Sequence, residues 1–178
     1  MKRFLYLFTV LILFSTVLPV KAQDNYAHIA PLVPKKTQLE KRQIQTKVFD
    51  CNEQPLVMKA ILNVLQDEGY IVNNANPILG FISGAKEFDV GDPSIDIEKE
   101  FGVSRRVLAR NGIKVAVIES TANVTEYGDQ IKVRITFKRK LLNMYGNAQV
   151  ISEINDERYY REFFTKVDKA VFIQKQKI

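Results

Sequence analysis

The chain has 178 residues, one cysteine and no tryptophan, and its 26 basic residues against 20 acidic ones give a formal net charge of +6. The length suits one domain with a tail, and a lone cysteine excludes an intramolecular disulfide, so a hydrophobic core must hold the fold. The charge is too small for a dedicated nucleic-acid binder, the more so because Lys2, Arg3 and Lys21 all fall in the first segment.

That segment reads as a secretory signal peptide. Lys2 and Arg3 precede an apolar run from Phe4 to Val17, and Val20-Lys21-Ala22 offers a cleavage site before Gln23. The run is shorter than the ~20 residues of a membrane span, which makes a retained anchor the alternative. Cleavage leaves about 156 residues and lowers the net charge by three. Gln23 to Gln43 carries Pro31, Pro34, Lys35 and Lys36 with no apolar period, and reads as a flexible tether. One domain is expected over 44–178.

Ile44, Thr46 and Val48 alternate with polar residues, as in a strand. Cys51 follows and reads as a buried or capping thiol, with an intermolecular disulfide or metal ligation as the sharper alternative. Asn52 is placed to cap a helix with Pro55 in its first turn. Leu56, Ala60, Ile61, Val64 and Leu65 form its apolar stripe, and Gly69 ends it. Tyr70 to Asn73 and Phe81 to Lys86 read as strands, joined into a hairpin through Asn76-Pro77 and Gly80. Residues 87–111 read as a long loop with room for a short helix; long loops often carry binding.

Ile113, Val115 and Val117 alternate, then the phase moves to Ile118, Ala122 and Val124, which predicts a bulge or bend there. A turn at Tyr127-Gly128-Asp129-Gln130 leads to Ile131, Val133, Ile135 and Phe137, the clearest strand in the chain. Asn155 or Asp156 is placed to cap a last helix, whose stripe is Tyr160, Phe163, Phe164, Val167 and Val171. The expected fold is α+β: an antiparallel sheet of about four or five strands with two helices packed on one face, a two-layer sandwich.

Few residues invite catalysis. His28 is the only histidine and lies in the tether, so Ser-His-Asp, Cys-His and zinc sites lack their parts. No glycine-rich phosphate loop appears, and Asp89, Asp92, Asp96, Glu98 and Glu100 do not fall in calcium-loop order. The tyrosines have no acid or base constellation around them in sequence. No catalytic, cofactor or metal residues are assigned. The basic strand stands out instead: Lys132, Arg134 and Lys138 share the face opposite Ile131, Val133, Ile135 and Phe137, and Arg139 and Lys140 follow. Arg105 and Arg106 lie nearby in sequence. These five, Lys132, Arg134, Lys138, Arg105 and Arg106, are the candidate partner-binding residues, suited to lipid headgroups, lipopolysaccharide phosphates or an acidic protein.

Two stretches also resemble a known group. Gln45 to Lys86 contains Leu65-Gln66-Asp67, Gly69 and Tyr70, then Gly80, Ile82 and Lys86. Ile154 to Ile173 contains Tyr160, Phe163, Phe164, Lys166, Lys169 and Phe172. Both resemble a family of small bacterial envelope lipoproteins of poorly defined function, as does Val133 to Phe137. The strand-helix-hairpin unit is similar, more remotely, to the repeated domain of a lipoprotein accessory to the outer-membrane β-barrel assembly machine. No lipidation cysteine stands directly after the signal segment, Cys51 being far from the cleavage site, which departs from a lipoprotein.

The expected role is therefore an exported, non-enzymatic envelope protein, in the periplasm or on the periplasmic side of the outer membrane. It acts as an accessory or scaffold for another envelope protein, with an anionic membrane surface as a further contact and no nucleic acid. A periplasmic binder of lipid or a small amphiphile is the alternative.

Overall fold

The computed structural model describes residues 36–176; the signal segment, His28 and most of the expected tether lie outside them. The described chain forms α1 (Gln38–Gln45), β1 (Thr46–Phe49), α2 (Gln54–Asp67), β2 (Ile71–Asn76), β3 (Phe81–Asp89) and α3 (Ile97–Phe101). It continues through α4 (Arg105–Arg110), β4 (Ile113–Tyr127), β5 (Gln130–Asn143), β6 (Ala148–Glu153) and α5 (Glu157–Gln176). The fold is mixed α and β, with one open antiparallel sheet.

The long strands β4 and β5 form its centre. Tyr127 pairs with Gln130, so Gly128 and Asp129 alone make the turn, with Gly128 at φ +62°. The order is β1-β5-β4-β3-β2, and β6 also pairs with β5. Two short strands thus share one edge of β5: β1 against Ile131–Arg134 and β6 against Lys138–Leu142. Phe137, in the gap between them, is still satisfied. Its N–H donates to the Tyr160 hydroxyl at 3.2 Å, and its carbonyl accepts from Ile154 N–H at 2.9 Å.

The helices are set by local signals. Helix α2 ends in a Schellman motif: Gly69 at φ +84° donates to the Gln66 carbonyl, and Tyr70 N–H donates to the Leu65 carbonyl, both at 2.9 Å. Asp156 caps α5, its carboxylate accepting from Arg158 N–H at 2.8 Å. The stripe Tyr160, Phe163, Phe164, Val167 and Val171 is buried. It meets Ile61 and Leu65 of α2 and the odd-numbered apolar residues of β5 in one core.

The structure corrects several sequence expectations. Residues 38–43 of the expected tether are helical, because Thr37 and Glu40 close a capping box: Thr37 N–H donates to the Glu40 carboxylate at 2.7 Å, and Glu40 N–H to the Thr37 hydroxyl at 3.3 Å. Asn52 does not cap α2; Glu53 holds that position without a side-chain bond. Instead Cys51, buried, accepts from Glu53 N–H through its sulfur at 3.4 Å. In α2, Leu56 is only half-buried, while Val57 and Met58 join the core. The irregularity in β4 lies at Lys114, between Ile113 and Val115, rather than at Val117. Strand β6 raises the strand number to six. The expected loop at 87–111 contains the end of β3 and both α3 and α4.

Burial also predicts alkaline sensitivity. Desolvation pushes the Tyr160 hydroxyl up to about 12, against an ordinary 10.0. The folded protein holds this proton more tightly than the unfolded chain. Its stabilising contribution is full below pH 10.0 and is lost as pH rises through about 12. Tyr160→Phe is expected to show a shallower fall in stability over that window, read by urea unfolding at stepped pH. It should also be less stable at neutral pH, by about 1–3 kcal/mol, because Phe137 N–H loses its acceptor.

Candidate functional site

Strand alternation puts Lys132, Arg134 and Lys138 on one face of β5, and Arg134 and Lys138 are exposed. Their cross-strand neighbours divide them. Lys132 stands between Val48 and Thr125, and Arg134 between Thr46 and Asn123, with no acid opposite either. The Lys132 ammonium lies 4.7 Å from the Tyr127 ring centre. Lys138 stands between Glu119 and Glu153. Those carboxylates are also engaged by Lys140 at 2.6 Å and by Lys41 at 2.7 Å. At that end of the row three cations, Lys138, Lys140 and Lys41, meet two carboxylates, whereas at the other end no acid of the described strands stands opposite Lys132 or Arg134.

Arg105 and Arg106 do not join this row. Helix α4 leads into β4 at Ile113, whereas Lys132 stands opposite Thr125, roughly 40 Å further along the strand at ~3.3 Å per residue. Arg106 is exposed. Arg105 is occupied: its guanidinium donates to the carbonyls of Val90 (2.6 Å), Asp92 and Ile95. It fastens the 90–95 segment to α4 and orders what sequence reads as loop. Arg105→Ala should cost about 1–3 kcal/mol, since three carbonyls lose a charged donor. Amide exchange should rise across 90–95 while β4 and β5 stay protected.

A second concentration of charge lies where the end of α2, the start of α5 and α3 approach the opposite face of the sheet. It is a cleft of ≈ 210 Å³ floored by Ile118, Phe137 and Phe163, with Arg139 in its wall. The Tyr70 and Tyr159 hydroxyls are hydrogen-bonded to one another at 3.0 Å. Burial pushes both hydroxyls above the ordinary tyrosine range. It also lowers the Arg139 guanidinium from its ordinary value, yet an arginine remains a cation at neutral pH. The Arg139 guanidinium lies 6.0 Å from the Phe101 ring centre, and its Nε is buried without a hydrogen-bond partner among the described residues.

Sequence alone groups Arg139 with the basic run and offers no setting for Tyr70 and Tyr159. The signal present was parity: Arg139 is in phase with Phe137, on the apolar side of β5. What places the two tyrosines together is the approach of α2 to α5, which no local pattern encodes. Among the described residues, no group of three or more His, Cys, Asp or Glu is placed to hold a metal ion, and no helix is long and apolar enough to cross a membrane.

No protein-family model and no curated protein matches the chain. Among solved structures it is similar to a DUF4468 family protein from Bacteroides ovatus ATCC 8483, with 10% sequence identity over 83% of this chain and 95% of that one. The TM-score is 0.35, a weak likeness.

Proposed function

We propose that the protein is an exported, non-enzymatic envelope component, an accessory or scaffold that binds an acidic envelope protein through the outer face of its sheet. In this reading α2 and α5 form a second layer over one face of the sheet and leave the other for the partner. The observation that carries it is the end of the basic row nearest the β4–β5 turn: among the described residues Lys132 and Arg134 have no acid opposite them on the neighbouring strands. Exposed Thr121, Asn123 and Thr125 extend the same surface over β4. A polar surface with unneutralised cations attracts and orients an acidic partner without adding much to folding. The signal-like segment and the resemblance to envelope lipoproteins support the location. The lipid-carrier reading has less behind it, because the ≈ 210 Å³ cleft is small for an acyl chain.

The test is charge reversal. The triple variant Lys132→Glu, Arg134→Glu, Lys138→Glu should unfold within about 1 kcal/mol of wild type. It should lose co-purification of the envelope protein that the wild type retains, and wild-type retention should weaken as salt rises. Lys132 and Arg134 should account for most of the loss, because Lys138 sits between two glutamates. Retention of the same protein by the folded variant would refute the reading. Binding to anionic vesicles alone would make the face a membrane contact instead.

A further inference from the structure

On the core-facing side of the sheet, residues pair across β3, β4 and β5 in successive rows. Ile82, Ala122 and Ile135 form one row, and Gly84, Ser120 and Phe137 the next; Phe88, Ala116 and Leu141 lie beyond. Between these is Lys86-Ile118-Arg139, a row with a cation on either side of an isoleucine. With strands ~4.8 Å apart, the two Cα atoms are roughly 10 Å apart, within the joint reach of two long basic side chains. Neither cation belongs to an ion pair among the described residues. Each lies near an aromatic ring instead, Lys86 4.9 Å from the Phe88 ring centre and Arg139 near Phe101. Two unpaired cations on an apolar face are costly, and an anion between them offsets that cost.

The rest of the cleft limits what that anion is. On its rim Lys166 pairs with Glu68 and Arg158 with Glu162, so those charges cancel. Lys86, Lys99 and Arg139 then face Glu100 and Asp156, an excess of one positive charge. A monoanion matches it; a doubly charged phosphate meets the two acids. The Tyr70–Tyr159 pair shares one hydrogen internally and keeps the other for donation. The Phe137 and Phe163 rings supply an apolar floor. The volume of ≈ 210 Å³ lies below the ~300–1,000 Å³ of drug-sized pockets.

We propose that this cleft binds a small carboxylate with an apolar body, the carboxylate held between Arg139 and Lys86 and the body against Phe137 and Phe163. Arg139 offers the planar fork that carboxylates accept in two hydrogen bonds, and Lys86 adds a point charge. A free small acid and the terminal carboxylate of a peptide share this chemistry. The site is independent of whether the outer face meets a protein.

The experiment titrates the purified protein with benzoate, acetate, inorganic phosphate and the peptide N-acetyl-Gly-Phe, following the Arg139 Nε–H and neighbouring amides by NMR. Benzoate or the peptide should move the Arg139 resonance, with acetate and phosphate weaker. Whichever of the two binds tighter identifies the source. Arg139→Met should weaken binding about tenfold or more, and Lys86→Met should weaken it as well. Lys132→Met, on the opposite face of the sheet, should leave it within about twofold. Absence of any carboxylate-induced shift at Arg139 in the wild-type protein overturns the proposal, whatever the variants do. Phosphate binding as tight as benzoate overturns the monoanion assignment.

Discussion

Gly80→Ala is expected to destabilise the protein by about 3–5 kcal/mol, among the largest effects of any single substitution here. Gly80 closes the β2–β3 turn at φ +62°, where a side chain is strained. Strain alone costs about 1–2 kcal/mol. Steric contact costs more: a Cβ would stand 1.9 Å from the Val124 carbonyl oxygen and 2.6 Å from Gln54 Nε2. The Gly80 carbonyl accepts from Val124 N–H at 2.7 Å, and Gln54 Nε2 donates to the Val124 carbonyl at 3.0 Å. The turn, the middle of the sheet and the first residue of α2 therefore meet at one point, and moving the turn breaks both bonds. Gly128→Ala is the control. It has φ +62° but no atom within 4 Å of the added Cβ, so it suffers strain alone. Urea unfolding of both variants decides the matter; equal losses would show that the close approach to Val124 does not limit the fold.

Phe137→Ala should cost about 3–5 kcal/mol. Phe137 is 1% exposed and lies within 5.1 to 6.1 Å, ring centre to ring centre, of Tyr159, Phe163, Tyr160 and Tyr70. Removing the ring leaves a cavity under α5 and deprives four aromatic partners of their shared neighbour. The backbone bond from Phe137 N–H to Tyr160 depends on that same packing, so the loss is not confined to one side chain. Phe172→Ala, on α5 at 61% exposure, should fall within about 0.5 kcal/mol. Thermal unfolding would compare the two; similar losses would mean that α5 presents a different stripe to the sheet.

The signals that sequence carried well were those confined to one element. The period of two in β5 put Ile131, Val133, Ile135 and Phe137 inside and Arg134 and Lys138 outside. The i, i+3, i+4, i+7 spacing of α5 and Gly69 at the end of α2 were equally local. Each depends on residues a few positions apart, whose relation the backbone geometry already sets. The capping box at Thr37 and Glu40 is just as local, and it lies inside the stretch read as tether. Other features were decided between segments far apart in the chain. Strand β6 has little apolar alternation and exists because β5 offers an unpaired edge beside Lys138–Leu142. The 87–111 segment is ordered because Arg105 reaches three carbonyls of 90–95 and Phe101 packs edge-on against Phe88 at 5.2 Å. The Lys86-Ile118-Arg139 row needs the register of three strands at once, and the Tyr70–Tyr159 pair needs two helices to converge. What sequence alone determined was which side of β5 and of α5 is apolar and where α2 stops. Tertiary structure decided which charged side chains are neutralised, buried or free, because that depends on partners that only pairing and packing bring within reach.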